Sequence, residues 1–318
     1  MASDPETTPD TPDTPAISES AETLPIVDGL AGLAGDYDGF IVDLWGTVHN
    51  GVEPLPGAVD CLERLKALGK PVLILSNAPR RAAEVAERMR AMGIPDDSYD
   101  AVFSSGEAAH IALRDRSDRF HAGLGRACFL LGPPEDDSVI AGLDYERADS
   151  IKTAHFILAI GAYRSRDTAR DYDGLLEGAT QRRLAMVCAN PDLEVLRGGA
   201  REICAGAIAA RFEIFGGEVR YHGKPHAAIY QASLALMGLG KEARILSIGD
   251  ALPTDVKGAN AAGLDALLIT GGIHAETLGI EAGETPDPAA LDRLMAEHGA
   301  RPRAAAPAFR WQGSVADG

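Results

Sequence analysis

Asp43 ends the apolar run Phe40-Ile41-Val42, and Leu44-Trp45-Gly46-Thr47 follows at once. A carboxylate so placed stands at the C-terminal tip of a buried strand, where open α/β sheets hold their ligands. Asp250 and Asp255 follow a second apolar run, Ile245-Leu246-Ser247-Ile248, in the pattern Gly-Asp-x-x-x-x-Asp, and belong to the same sheet edge. Three carboxylates converging there cannot all ionise in a small space without a compensating cation. A hard divalent ion with oxygen ligands answers that need, and Mg²⁺ fits best where a phosphate supplies further ligands. Lys224, between Gly223 and Pro225, brings a positive charge to a helix start. Ser76 and Asn77 follow Val72-Leu73-Ile74-Leu75, so their hydroxyl and amide face the same edge and can donate to phosphate oxygens. Arg80 is a further candidate for an anion contact, with a solvated helix face as the equal alternative.

Parallel strands joined by helices would position these groups. Short apolar strands are expected at 39–44, 72–76 and 101–103, followed by amphipathic helices at 57–68, 80–92 and 106–114. That alternation predicts an α/β fold with a parallel sheet built from βαβ units. The stretch 114–125 is charged and turn-like and marks a boundary. Beyond it, strands at 127–131, 155–160 and 184–188 accompany helices at 166–181 and 204–215, so the insert is also α/β. The first sheet resumes after Lys224 with helices at 226–237, 254–262 and 287–297 and strands at 243–248 and 266–270. The residues before about position 21 are rich in Pro, Thr, Asp and Glu and are expected to be disordered. Residues 26–33 are expected to form a short helix or an arm on the core. The Ala/Pro-rich tail from Arg301 is expected to be loosely held.

The chain has 318 residues, enough for about two domains and a sizeable core. Its formal net charge is -17, and no Lys or Arg occurs before Arg64. That balance argues against nucleic acid or an anionic membrane as partner. Phosphorylated substrates stay open, because a local site can override global charge. Cys61, Cys128, Cys188 and Cys204 are scattered and read as reduced thiols of a cytoplasmic protein. No apolar run approaches the roughly 18 residues of a membrane span, and no secretory leader is expected.

Taken together, the four motifs around Asp43, Ser76, Lys224 and Asp250 resemble those of the haloacid dehalogenase superfamily. The resemblance narrows to subclass IIA, the branch of pyridoxal phosphatase, phosphoglycolate phosphatase and nitrophenyl-phosphatase relatives. Asn77-Ala78-Pro79-Arg80, the large insert and Asn190-Pro191-Asp192 within it carry the narrowing. It covers roughly residues 36–285. It implies a Rossmann-like parallel sheet core with an inserted α/β cap domain. The division is a disordered acidic segment at 1–25, the hydrolase core at 26–117 and 219–300, the cap at 118–218 and a tail at 301–318. It implies that Asp43 is a nucleophile forming an aspartyl-phosphate, and that Lys224 neutralises it and the transferring group. It implies that Asp43, Asp250 and the Trp45 carbonyl bind Mg²⁺, with Asp255 acting around the ion. The loop Leu193-Glu194-Val195-Leu196-Arg197 would reach down from the cap to select a small phosphorylated substrate, and the cap would mediate a homodimer.

One position departs from that pattern. The phosphatases carry a second aspartate two residues after the first, which protonates the leaving oxygen and then activates water; here the residue is Trp45. An indole cannot transfer protons near neutral pH, and losing a positioned acid–base costs about 10²–10⁴ in rate. Three readings follow. The protein is a phosphohydrolase whose proton comes from elsewhere, His49 being the nearest titratable group and a cap residue the other source. It is like the dehalogenases, which carry an aromatic residue there but need no metal, so that Asp250 and Asp255 speak against it. Or it is a catalytically weak phosphate-binding or regulatory member of the fold.

Overall fold

A computed structural model of the chain describes residues 24–134, 136–197 and 200–312; residues 1–23 of the segment at 1–25 expected to be disordered, and the end of the tail at 313–318, lie outside them. In chain order the strands are β1 (Gly39–Val42), β2 (Val72–Ser76), β3 (Ala101–Ser104), β4 (Ala127–Leu131), β5 (Glu146–Arg147), β6 (Phe156–Ala159), β7 (Ala185–Cys188), β8 (Glu194–Arg197), β9 (Ala200–Ile203), β10 (Glu218–Tyr221), β11 (Ile245–Gly249), β12 (Asp265–Ile269) and β13 (Ala304–Ala306). The first sheet runs β13-β12-β11-β1-β2-β3 and is parallel throughout. Its strands are near-continuous apolar runs because helices cover both faces. Alternate side chains feed opposite layers. Phe40, Val42, Ile74, Ile248 and Leu267 pack with Leu62 and Leu65 of the helix Ala58–Ala67. Ile41, Leu73, Leu75 and Leu268 face Ile229 of Ala227–Met237 and Leu291 of Pro288–His298.

The second sheet, β10-β7-β6-β4-β5, is also parallel and lies wholly in the insert. Its two faces carry separate apolar layers, one around Phe212 and Leu176, the other around Phe156 and Leu158. A two-stranded antiparallel hairpin, β8–β9, stands apart from both sheets.

Several expectations change. The return to the first sheet falls after Tyr221 rather than at 219, because β10 (Glu218–Tyr221) pairs with β7. The turn-like stretch at 114–125 contains a short helix, Arg119–Gly123, capped by the Asp118 side chain on His121 N–H. The expected helix at 254–262 begins as a wider π turn, Leu252–Val256, before Lys257–Ala261. The described part of the tail, residues 301–312, is not loosely held: β13 adds to β12, and Ala305 and Phe309 are buried. Nor do Leu24 and Pro25, within the segment expected to be disordered, behave so. Leu24 is buried, Ala305 N–H donates to Pro25 O at 2.9 Å, and Val27 N–H donates to Ala305 O at 2.8 Å. Alanines carry little strand propensity, so only the neighbouring backbones reveal this edge.

Candidate active site

β1 is the strand at which the strand order of the first sheet reverses, with β2 on one side and β11 on the other. Ligands of open parallel sheets collect at such a switch point. Asp43 stays in the ladder by donating its N–H to Ile248 O at 2.8 Å, which fixes its carboxylate at the strand tip. The pairing Val42↔Ile248 brings Asp250 level with it. The π turn carries Asp255 back to the same point, where Ala251 N–H donates to its Oδ2 at 3.1 Å. Oxygens of Asp43, Asp250 and Asp255 lie within 4.8 Å of one another, and all three residues are buried. Glycines make the room: a Cβ on Gly46 (φ +80) or Gly272 would fall 2.0 or 2.1 Å from Asp250 Oδ2.

Lys224 Nζ donates to Asp43 Oδ1 at 2.5 Å, to Asp255 Oδ1 at 2.7 Å and to Leu75 O at 3.3 Å. Burial alone would lower its pKa, but Asp255 and Asp43 outweigh that and hold the ammonium well above its ordinary value. One ammonium does not balance three carboxylates. Burial, then the Asp43 and Asp255 charges, push Asp250 far above the usual carboxylate range. Burial also raises Asp43, against the pull of Lys224. The uncompensated, oxygen-only donor set fits a hard divalent cation such as Mg²⁺.

These groups form the floor of a cavity of about 550 Å³. Its roof comes from the insert, whose strand tips point at the same space: Pro133 and Asp136 after β4, Ile160 to Ser165 after β6, and Asn190 and Asp192 after β7. The sequence-predicted residues fare differently there. Ser76 lines the cavity, its Oγ accepting from Ala78 N–H at 3.2 Å. Asn77 is spent on the protein: its Nδ2 donates to Asp192 Oδ1 at 2.7 Å and Lys224 O at 3.1 Å, and its Oδ1 accepts from Lys224 N–H at 2.7 Å. It stitches the two units together rather than offering donors to a ligand. Arg80 reaches the wall but is paired with Asp136 of the insert and, at 3.1 Å, with Glu84.

The loop at 193–197 is a strand of the hairpin. Glu194, Val195, Leu196 and Arg197 line the cavity, whereas Leu193 points outward, 60% exposed. Trp45 lines it as well, its Nε1–H donating to Leu196 O at 2.7 Å. His49 is not brought to the cavity. It is buried edge-on to Trp45, its Nδ1 accepts from Gly51 N–H at 3.0 Å, and burial lowers its pKa to about 4. A neutral imidazole so engaged is no proton donor near pH 7.

Sequence reasoning missed Asp192 as a site residue. It is half-buried on the cavity wall, bonded to the neutral Asn77 amide, and desolvation there pushes it up to about 6. The Asn190-Pro191-Asp192 signature was the available signal. Asp136, Tyr163 and Arg164 were also missed, and the tips of the insert's parallel strands were the place to look.

Comparison with known proteins agrees with this geometry. Residues 40–146 match the model of haloacid dehalogenase-like hydrolases, and 221–296 match a HAD-hydrolase-like model. A solved haloacid dehalogenase-like hydrolase from Brucella suis 1330 is 33% identical, covering 89% of this chain and 99% of its own, with a TM-score of 0.75. D-glycerol 3-phosphate phosphatase of Mycobacterium tuberculosis is 25% identical over 90% of this chain and 78% of its own length. A solved glycerol phosphate phosphatase from the same organism, in complex with magnesium, shares the fold at 24% identity and a TM-score of 0.59, over 81% of this chain and 78% of its own.

Proposed function

The chain belongs to the haloacid dehalogenase-like hydrolases, and from that premise we propose that it is a Mg²⁺-dependent phosphohydrolase of small phosphorylated metabolites, acting through an aspartyl-phosphate on Asp43. One observation carries the reading: three buried carboxylates converge at the strand tips, and the ammonium of Lys224 pairs with only two of them, Asp43 and Asp255. Asp43, Asp250 and the main-chain carbonyl of Trp45 would hold the cation, with Asp255 beside it through Lys224. Bound there, the ion would balance the carboxylates and draw charge from the phosphoryl oxygens.

An Asp43 oxygen attacks phosphorus as the bond to the leaving oxygen breaks, and the electron pair departs with that oxygen. Lys224 lowers the Asp43 pKa against the burial that raises it and opposes the charge that gathers on the phosphoryl group. Ser76 offers a hydroxyl to a phosphoryl oxygen. Water then attacks phosphorus, releasing phosphate and restoring the carboxylate. Trp45 gives the departing oxygen no proton. The insert acts as a cap that closes the cavity, and a cytoplasmic, cap-mediated homodimer belongs to the same reading. Light scattering on the purified chain checks the dimer.

Trp45 also favours a second reading, a phosphate-binding member of the fold with little turnover. A panel of phosphorylated metabolites assayed with Mg²⁺ separates the two. Phosphate release that disappears in Asp43→Asn supports the enzyme; no release from any substrate, or release that survives Asp43→Asn, defeats it.

A further inference from the structure

The side chain of Trp45 joins the nucleophile's loop to the β8–β9 hairpin. Its Nε1–H donates to Leu196 O at 2.7 Å, and the Arg197 guanidinium stands 4.8 Å over the ring. On the core side the indole is cradled. Gly51 has φ +87, and a Cβ there would fall 2.4 Å from the ring. The His49 ring meets the indole edge-on at 5.3 Å. Backbone bridges Trp45–His49 and His49–Pro54 close the loop beneath them. The indole is therefore held where it stands.

The hairpin is not self-sufficient. Two strands without a covering layer are marginal alone, and Glu194, Arg197, Ala200 and Arg201 are exposed. Among the described residues, its other polar tie to the first unit is Arg201 with Glu276 at 2.8 Å, an exposed ion pair that contributes little. Yet Val195, Leu196, Arg197, Glu202 and Ile203 make the cavity wall on that side. What holds the hairpin in place decides the shape of the substrate's end of the cavity.

We propose that Trp45 is a positioning residue: through the Leu196 carbonyl and the Arg197 guanidinium it latches the substrate-selecting hairpin above Asp43. The position where relatives of the resembling branch keep an acid–base is here given to a core-to-cap tie. The hydrogen bond and the stacked cation act together, since both fix the same strand against the same ring. The inference rests on the phosphohydrolase reading only for its kinetic arm.

Hydrogen–deuterium exchange of the full chain tests it without any assay of turnover. Trp45→Phe keeps a ring on Gly51 and under Arg197 but lacks the N–H. Amides of β8 and β9 should exchange about 2- to 10-fold faster in that variant, with β1 and β11 unchanged. Arg197→Ala should accelerate the same amides about 2- to 5-fold. In the kinetic arm, Trp45→Phe should raise KM more than it changes kcat, a split that mere loss of folded protein does not produce. Equal hairpin exchange in wild type and Trp45→Phe, with β1 intact, overturns the latch. If Trp45→Phe loosens β1 too, the exposed Arg197→Ala decides alone, and unchanged hairpin exchange there overturns the latch equally. Faster hairpin exchange in a protein that hydrolyses no phosphate ester would sink the proposed activity and leave the latch standing.

Discussion

In the proposed reaction Trp45 gives the leaving oxygen no proton, and neither His49 nor Lys224 of the floor is placed to supply one. Rates should therefore depend steeply on the leaving group. Acyl phosphates, phenyl phosphates and phosphoanhydrides should outpace alkyl phosphates by about 10²–10⁴, and the aspartyl-phosphate should accumulate as a burst of first product. Rapid-quench kinetics across leaving groups of different pKa tests this; equal rates with no burst would mean another acid serves, and Asp192→Asn is then the variant to examine. A second residue-scale prediction concerns Asp250. The Cβ of Gly272→Ala would fall 2.1 Å from its Oδ2, so the carboxylate must move. Mg²⁺ affinity by calorimetry should drop about 10- to 100-fold, and Asp250→Ala should abolish binding. Unchanged binding in Asp250→Ala removes the metal assignment.

Two elements join the insert to the first sheet, and the buried His121 and the half-buried His222 tie them. His121 Nε2 meets His222 Nε2 at 3.1 Å, while Asp118 holds His121 Nδ1 at 2.5 Å. Burial, with His121 and Arg220 adding to it and Asp118 opposing, lowers His222 to about 3. An unfolded chain protonates this ring below about 6.5, and the folded one resists until about 3. The contribution is full above pH 6.5 and is lost as pH falls toward 3, at up to about 1.4 kcal/mol per pH unit. Urea unfolding from pH 7 to 4 should show a falling midpoint, and His222→Gln should flatten its share. An identical pH slope in that variant would refute the assignment. At the sheet's far edge, β13 and the segment after it bury Phe309, 1% exposed. Phe309→Ala should cost about 3–5 kcal/mol, measurable as a lower denaturation midpoint; a loosely held tail would give almost none.

Across the whole molecule, two parallel sheets turn their C-terminal edges on one cavity, and ties that bridge it among the described residues include Trp45 to Leu196, Asn77 to Asp192, Arg80 to Asp136 and Arg201 to Glu276. A phosphate analogue with Mg²⁺ would add charge-assisted bonds to both sides. Small-angle scattering should then report a smaller radius of gyration than without ligand, if the insert moves as a cap. An unchanged profile alongside calorimetric binding would mean that the units move as one.

The motifs, the α/β alternation and the chemistry of the floor were legible because they are local. An apolar run with a polar residue at its tip specifies both a buried strand and the direction of its functional end. Helix periodicity likewise placed most helices within a few residues. What sequence could not carry depends on partners remote in the chain. Ala304–Ala306 becomes a strand only because β12 offers an open edge, and β10 joins the insert only because β7 lies beside it. Asn77 has donors by type, yet Asp192 and Lys224 consume them. Residue type fixed that Trp45 cannot move a proton; only the meeting of the hairpin with the loop after Asp43 decided what the indole holds instead, since a hydrogen bond across 151 residues follows from packing and not from spacing.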